Sequence, residues 1–169
     1  MFHKILITML GLALLAGCSP KIDQKKYENL YRAAKAIEGA IAVGITYPKF
    51  GELLQNLSTE ISIANDKAKS DTEKELLKSY FEVLTTFQES STVWKYKIEG
   101  SRYDWIPKGQ IFVEDELRPI IEKYSFPMEL HEIKITRNSF TTISENSIKI
   151  IWEKAHDQLE KANKIYYGQ

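Results

Sequence analysis

SDTEKELLKSYFEVLTTF, residues 70–87, is the stretch that sets the fold class. Ser70 and Glu73 open it at the spacing of a capping box, in which the serine hydroxyl takes a backbone N–H three residues on and the glutamate reaches back to the serine's own N–H. Behind them Leu76, Leu77, Tyr80, Phe81, Leu84 and Phe87 recur at intervals of three and four, the period of a helix with one buried face. Trp94 and Ile98 carry the stripe to Gly100, where regularity stops. A single long helix is expected.

Two shorter stripes lie upstream. Tyr27, Leu30, Tyr31, Ala34, Ile37, Ile41 and Ile45 form the first, with Gly39 and Gly44 near its end. After Thr46-Tyr47-Pro48, where proline suits a first helical turn, come Phe50, Leu53, Leu54, Leu57, Ile61, Ala64 and Ala68. Connections this short make antiparallel neighbours.

Downstream, residues 99–140 hold Gly100, Pro107, Gly109, Pro119 and Pro127. A structureless loop of that length is uncommon inside a domain, so a short helix is expected near 113–124, starting or kinking at Pro119. Residues 130–135 read equally well as helix or strand. Thr142 and Glu145 repeat the capping-box spacing. Beyond them Ile148, Ile151, Trp152, Ala155, Leu159, Ala162 and Tyr166 give a last amphipathic helix, closed by Gly168. The expectation is an all-α fold over residues 25–169: an antiparallel bundle of four main helices with an irregular insertion before the last.

The beginning of the chain has a different character. His3 and Lys4 precede an apolar run over residues 5–16, broken only by Thr8. Twelve residues fall short of the roughly 20 that a spanning helix needs, but they suit the apolar core of a secretory signal. Leu15-Ala16-Gly17-Cys18 follows, with the only cysteine of the 169 residues. This motif resembles the lipobox of bacterial lipoproteins. The resemblance implies that residues 1–17 are a signal peptide and that the Cys18 thiol receives a diacylglyceryl group. It also implies that Cys18 becomes an acylated amino terminus, and that Ser19 after it directs the protein to the outer membrane, facing the periplasm, in a cell with two membranes. Each buried methylene adds about 0.8 kcal/mol, and two or more chains hold stably where one does not. Residues 18–24 are then the lipidated cysteine and a short tether, whose last six residues reach at most about 20 Å.

Removing residues 1–17 leaves 152 residues, with 22 basic and 23 acidic side chains. Such a balance gives no field to attract nucleic acid, and no nucleic-acid partner is expected. With one cysteine there is no intramolecular disulfide and no thiolate metal site.

No G-x-S-x-G, P-loop or dinucleotide fingerprint is present, and the pattern implies no enzyme and no cofactor. Glu153 and His156 form E-x-x-H, which di-iron bundles use in pairs with further glutamates. No second copy exists, and Glu153 points off the apolar stripe, so no metal site is expected. His131 has no partner at ligand spacing. Glu38 is less ordinary, because it falls on the apolar line Ala34–Glu38–Ile41. In an up-down-up arrangement it stands level with Gln88 and Ser91, which interrupt the stripe of the long helix. The three define a possible polar layer, either a register-fixing feature or the lining of a small pocket.

Trp94, Tyr96, Tyr103 and Trp105 crowd the end of the long helix and the loop after it, with Arg102 among them. They could plug the bundle, touch a membrane surface, or act as Trp, Tyr and Arg do at interfaces. Arg102, Tyr103 and Trp105 are expected on a surface loop, with Trp105 removable at little cost in stability. The leading functional expectation is a lipid-anchored cell-envelope protein with a non-catalytic binding or structural role towards another envelope component, with an envelope protein as the expected partner. A second is a small-ligand-binding helical lipoprotein using the Glu38 layer, and a third is a cell-wall remodelling enzyme.

Overall fold

The computed structural model describes residues 21–132 and 138–169. The leader and Cys18 lie outside the described residues. Four long helices dominate: α1 (Glu28–Val43), α2 (Tyr47–Asn65), α3 (Asp71–Gly100) and α5 (Ser147–Tyr167). The capping box at the start of α3 is formed, with Ser70 Oγ accepting from the Glu73 N–H at 3.2 Å and Glu73 Oε2 accepting from the Ser70 N–H at 3.1 Å. Pro48 sits in the first turn of α2. Gly44, at φ +91°, ends α1 in a conformation that a side chain would strain.

Ring and hydrogen-bond pairs fix the directions. Phe50 meets Phe87, and Tyr47 meets Trp94, between α2 and α3. Tyr80 Oη donates to Asn163 and Trp152 Nε1 to Ser90, so α5 runs antiparallel to α3. Tyr31 stacks on Tyr166 at 4.8 Å, and Glu38 meets His156, so α5 is antiparallel to α1 as well. α1 packs on α2 and α5, and α3 packs on the same two.

The molecule is mostly helical, but it is not all-α. Between α3 and α5 lies a three-stranded antiparallel sheet of order β1-β3-β2, made of β1 (Gln110–Phe112), β2 (Met128–Glu132) and β3 (Ser139–Ser144). The expected short helix is present as a 3-10 turn at Asp115–Leu117 and α4 (Arg118–Tyr124), with Pro119 in its first turn. Thr142 and Glu145 do not cap α5. Thr142 lies in β3, pairing with Phe112 and Glu129, and α5 begins later, at Ser147.

Two hydrophobic clusters result. The larger fills the bundle around Tyr27, Ile37, Phe50, Leu57, Tyr80 and Leu159. The smaller joins one face of the sheet and α4 to the helices through Ile111, Ile143, Leu117, Val93 and Ile151. Trp94 and Trp152, 5.5 Å apart and edge to face, pack against both clusters. On α3 the buried line runs through Val83 and Val93 and leaves Phe81 58% exposed. Phe81 is one residue, or about 100°, off Tyr80.

Residues 22–24, expected as part of a tether, belong to the folded body, while residues 18–20 lie outside the described residues. Ile22 is buried, Asp23 caps a 3-10 turn at Gln24–Tyr27, and Tyr166 Oη donates to the Gln24 carbonyl. Lys26 pairs with Glu73 at the start of α3. The amino-terminal segment therefore meets the bundle at one end of α3, and the sheet sits at the other. Thirty helical residues separate the two ends, about 45 Å at 1.5 Å per residue. Among the described residues, no helix is long and apolar enough to cross a membrane.

Candidate functional site

The chain turns back sharply after α3. Tyr103 N–H bonds to the Gly100 carbonyl and Ile106 N–H to the Tyr103 carbonyl. A Cβ on Gly100 would stand 3.3 Å from Ile106 Cδ1, so a larger residue there would push the Ile106 side chain back by a few tenths of an ångström. Gly109, at φ +80°, then swings the chain into β1, where its carbonyl accepts from the Glu145 N–H at 2.8 Å.

This path lays Tyr103 and Trp105 against the sheet. Their rings are 5.6 Å apart, and Trp105 meets Phe112 at 5.5 Å and Phe140 at 4.9 Å, both edge to face. Phe112 and Phe140 share the sheet face turned away from the helices, because Ile111 and Ile143 take the buried face. Tyr103 remains 54% exposed and Trp105 42%. Arg102, Tyr103 and Trp105 line one cleft of about 480 Å³ together with Tyr96, Glu99 and Glu114. Tyr96 Oη donates to Glu116 at 2.6 Å, which ties the 3-10 turn beside the cleft to α3 and pushes the phenol up to about 12.

The structure thus brings the three expected interaction residues onto one concave surface. Trp94 and Trp105 have separate roles. Trp94 is the joint between the two cores, while Trp105 lies against the sheet. Arg102, Tyr103 and Trp105 are all exposed, and the contacts of Trp105 with Phe112 and Phe140 are what bear on its cost in stability.

A polar chain runs across the same sheet face. Gln110 Nε2 donates to Glu129 at 3.3 Å, Thr142 Oγ1 donates to Gln110 Oε1 at 3.0 Å, and His131 Nε2 lies 2.8 Å from Thr142 Oγ1. His131 also stacks on Phe140 at 5.1 Å. Phe112, Phe140, Thr142 and His131 carry no functional signal in the sequence. Only strand pairing brings them together.

Glu38, Gln88 and Ser91 do not form one layer. Glu38 lies between α1 and α5, bonded to Lys35 and 2.5 Å from His156 Nδ1. Partial burial opposes its ionisation. The Lys35 ammonium, and then His156, outweigh that and hold the carboxyl below its ordinary value. The pair borders a groove of about 620 Å³ lined by Ile41, Phe87 and Trp152, with Glu153 and Asp157 also on it. Gln88 and Ser91 face a different groove, between α2 and α3, with Tyr47 and Lys95. Phe87, the residue before Gln88, lines the Glu38 groove. Gln88, one residue on, is turned about 100° away. His156, half-exposed on α5, is the partner of Glu38.

Among the described residues, no group of three or more His, Cys, Asp or Glu side chains is placed to hold a metal ion. No protein-family model, curated protein or solved structure matches this chain. Function has to be read from the chain's own geometry.

Proposed function

We propose that this is a lipid-anchored cell-envelope protein, held to a membrane through Cys18, that binds another envelope protein without catalysing a reaction. The observation that carries the binding role is the cleft at the far end of α3. There Arg102, Tyr103 and Trp105 converge, with two large aromatic rings about half exposed on a rigid sheet. Aromatic residues and arginine dominate interface energetics, and groups set on a scaffold lose little freedom on docking. The Leu15-Ala16-Gly17-Cys18 motif supports the anchor, with the outer membrane as the destination in a cell that has two. Crosslinking in intact cells from a photoreactive residue at position 103 tests the reading. Capture of a defined envelope protein that is lost with Arg102→Ala supports it. Capture unaffected by that substitution removes the cleft from the account.

The Glu38 groove supports a second reading, a site for a small ligand. Its apolar floor of Ile41, Phe87 and Trp152, rimmed by charged groups of both signs that include Lys149 and Asp157, suits an apolar molecule with a polar end. Trp152 fluorescence titrated with such molecules, in wild type and Glu38→Gln, tests that alternative.

A further inference from the structure

Among the described residues β2 is an edge strand, paired with β3 alone. The hydrogen bonds Val113 N to Thr141 O and Glu145 N to Gly109 O turn the odd-numbered residues of β3 towards β1. Its even-numbered residues therefore face β2, and Thr142 and Phe140 bond to Glu129 and His131. By the same alternation, the peptide groups of Met128, Leu130 and Glu132 face the open edge. Two of these three side chains are apolar and uncovered, Met128 at 55% and Leu130 at 75% exposed, and the third, Glu132, is an exposed carboxylate. Natural edge strands usually guard such positions with charges, proline or a cover; here Pro127 and Glu132 flank the pair, and Leu130 between them is left bare.

We propose that this edge pairs with the β2 edge of a second copy of the chain, antiparallel about a two-fold axis at Leu130, to make a six-stranded sheet. The side-chain pattern selects both the occupant and the register. Centring on Leu130 sets Leu130 against Leu130 of the second copy and Met128 against its Glu132. On the other face, Glu129 stands opposite His131, and His131 opposite Glu129. Centring on residue 129 would place two glutamates face to face, which is unfavourable, and centring on 131 would oppose two histidines. The Leu130 centre alone sets a carboxylate against an imidazole on both sides and buries both leucines. The strand is thus complementary to itself, as an isologous contact requires. Both copies of the Phe112–Phe140 face then lie on the same side of one sheet. This proposal does not rest on the docking role of the Trp105 cleft.

Cysteine scanning of the full chain in detergent, under mild oxidation, tests it. Directly opposed, hydrogen-bonded residues have Cα atoms about 5.5 Å apart, within disulfide range. Leu130→Cys is expected to give covalent dimer in about tenfold higher yield than Met128→Cys, whose two copies would be roughly 13 Å apart. The double variant Met128→Cys/Glu132→Cys should crosslink as Leu130→Cys does. Wild type, which keeps Cys18, supplies the background, and thermal melts confirm that each variant folds. Light scattering on the wild type should give the mass of a dimer. A monomeric mass at every concentration, equal yields at 128 and 130, no disulfide at 130, or crosslinking of Leu130→Cys in cells to a different protein would each overturn the proposal.

Discussion

Removing the Trp105 ring separates packing from docking. Trp105 is 42% exposed, so roughly three-fifths of it is buried against Phe112, Phe140 and Tyr103. A fully buried tryptophan costs about 3–5 kcal/mol on truncation to alanine. Scaled to the buried share, Trp105→Ala should destabilise the protein by about 2–3 kcal/mol. For a domain of this size that is a fall in Tm of about 4–10 °C. Trp105→Phe keeps a ring against the sheet and should lose less than half as much. Denaturant titration by circular dichroism reads both. Arg102→Ala, on the same cleft but exposed, should stay within about 0.5 kcal/mol of wild type, as ordinary surface changes do. A loss below about 0.5 kcal/mol for Trp105→Ala would show that the ring is not packed on the sheet. A loss above about 4 kcal/mol would make Trp105 a core residue and retire it as a docking group.

Three other outcomes are expected. Cys18→Ser should stop lipid attachment and ordinary processing, so detergent phase partitioning should move the protein out of the lipid-anchored fraction. Persistence of a mature, membrane-held form would refute the lipobox reading. Ser90→Ala leaves the Trp152 indole N–H without its 3.0 Å acceptor in a half-buried joint and should cost about 1–3 kcal/mol by thermal melt. At Glu73, hydrogen bonds from Lys26 and then from the Lys69 and Ser70 N–H groups lower the carboxyl from 4.5 to about 2. Its contribution is therefore present above pH 4.5 and is lost as the pH falls towards 2. Glu73→Gln should be less stable than wild type at pH 7, with the gap closing through that window, and a constant gap would refute the assignment.

The helices were legible because each carries its own evidence. The stripes of α1, α2 and α3, and the Ser70–Glu73 cap, need no distant residue to be recognised. The sheet was hidden for the opposite reason. β1 is three residues long, and β3, SFTTIS, gains its stability from partners at 110–112 and 128–132. Strand preference is largely such cross-strand packing. Thr142 and Glu145 mimicked a helix start because the capping-box spacing is a local pattern, and here the tertiary pairing of β3 overrides it. At the candidate sites, Arg102, Tyr103 and Trp105 could be picked out by residue type and by their place after a helix end. Their neighbours Phe112 and Phe140 could not. Glu38 was conspicuous as a charge on an apolar line. Its partner His156 sits 118 positions away and becomes visible only once the α1–α5 register is known.

The length of α3 acts as a ruler. The amino-terminal segment enters at one end and the Trp105 cleft opens at the other, about 45 Å away along thirty residues. With Ile22 docked, only about three residues remain between Cys18 and the folded body. If Cys18 is lipidated, the chain between it and the docked Ile22 can reach at most roughly 10 Å. The cleft then sweeps a cap of nearly constant radius around the anchor rather than wandering through the surrounding volume. A partner fixed to the same bilayer is met at high local concentration if its docking segment projects to that height, and hardly at all if it lies at the lipid surface. Shortening α3 by whole turns, about 5.4 Å each, would lower that height stepwise.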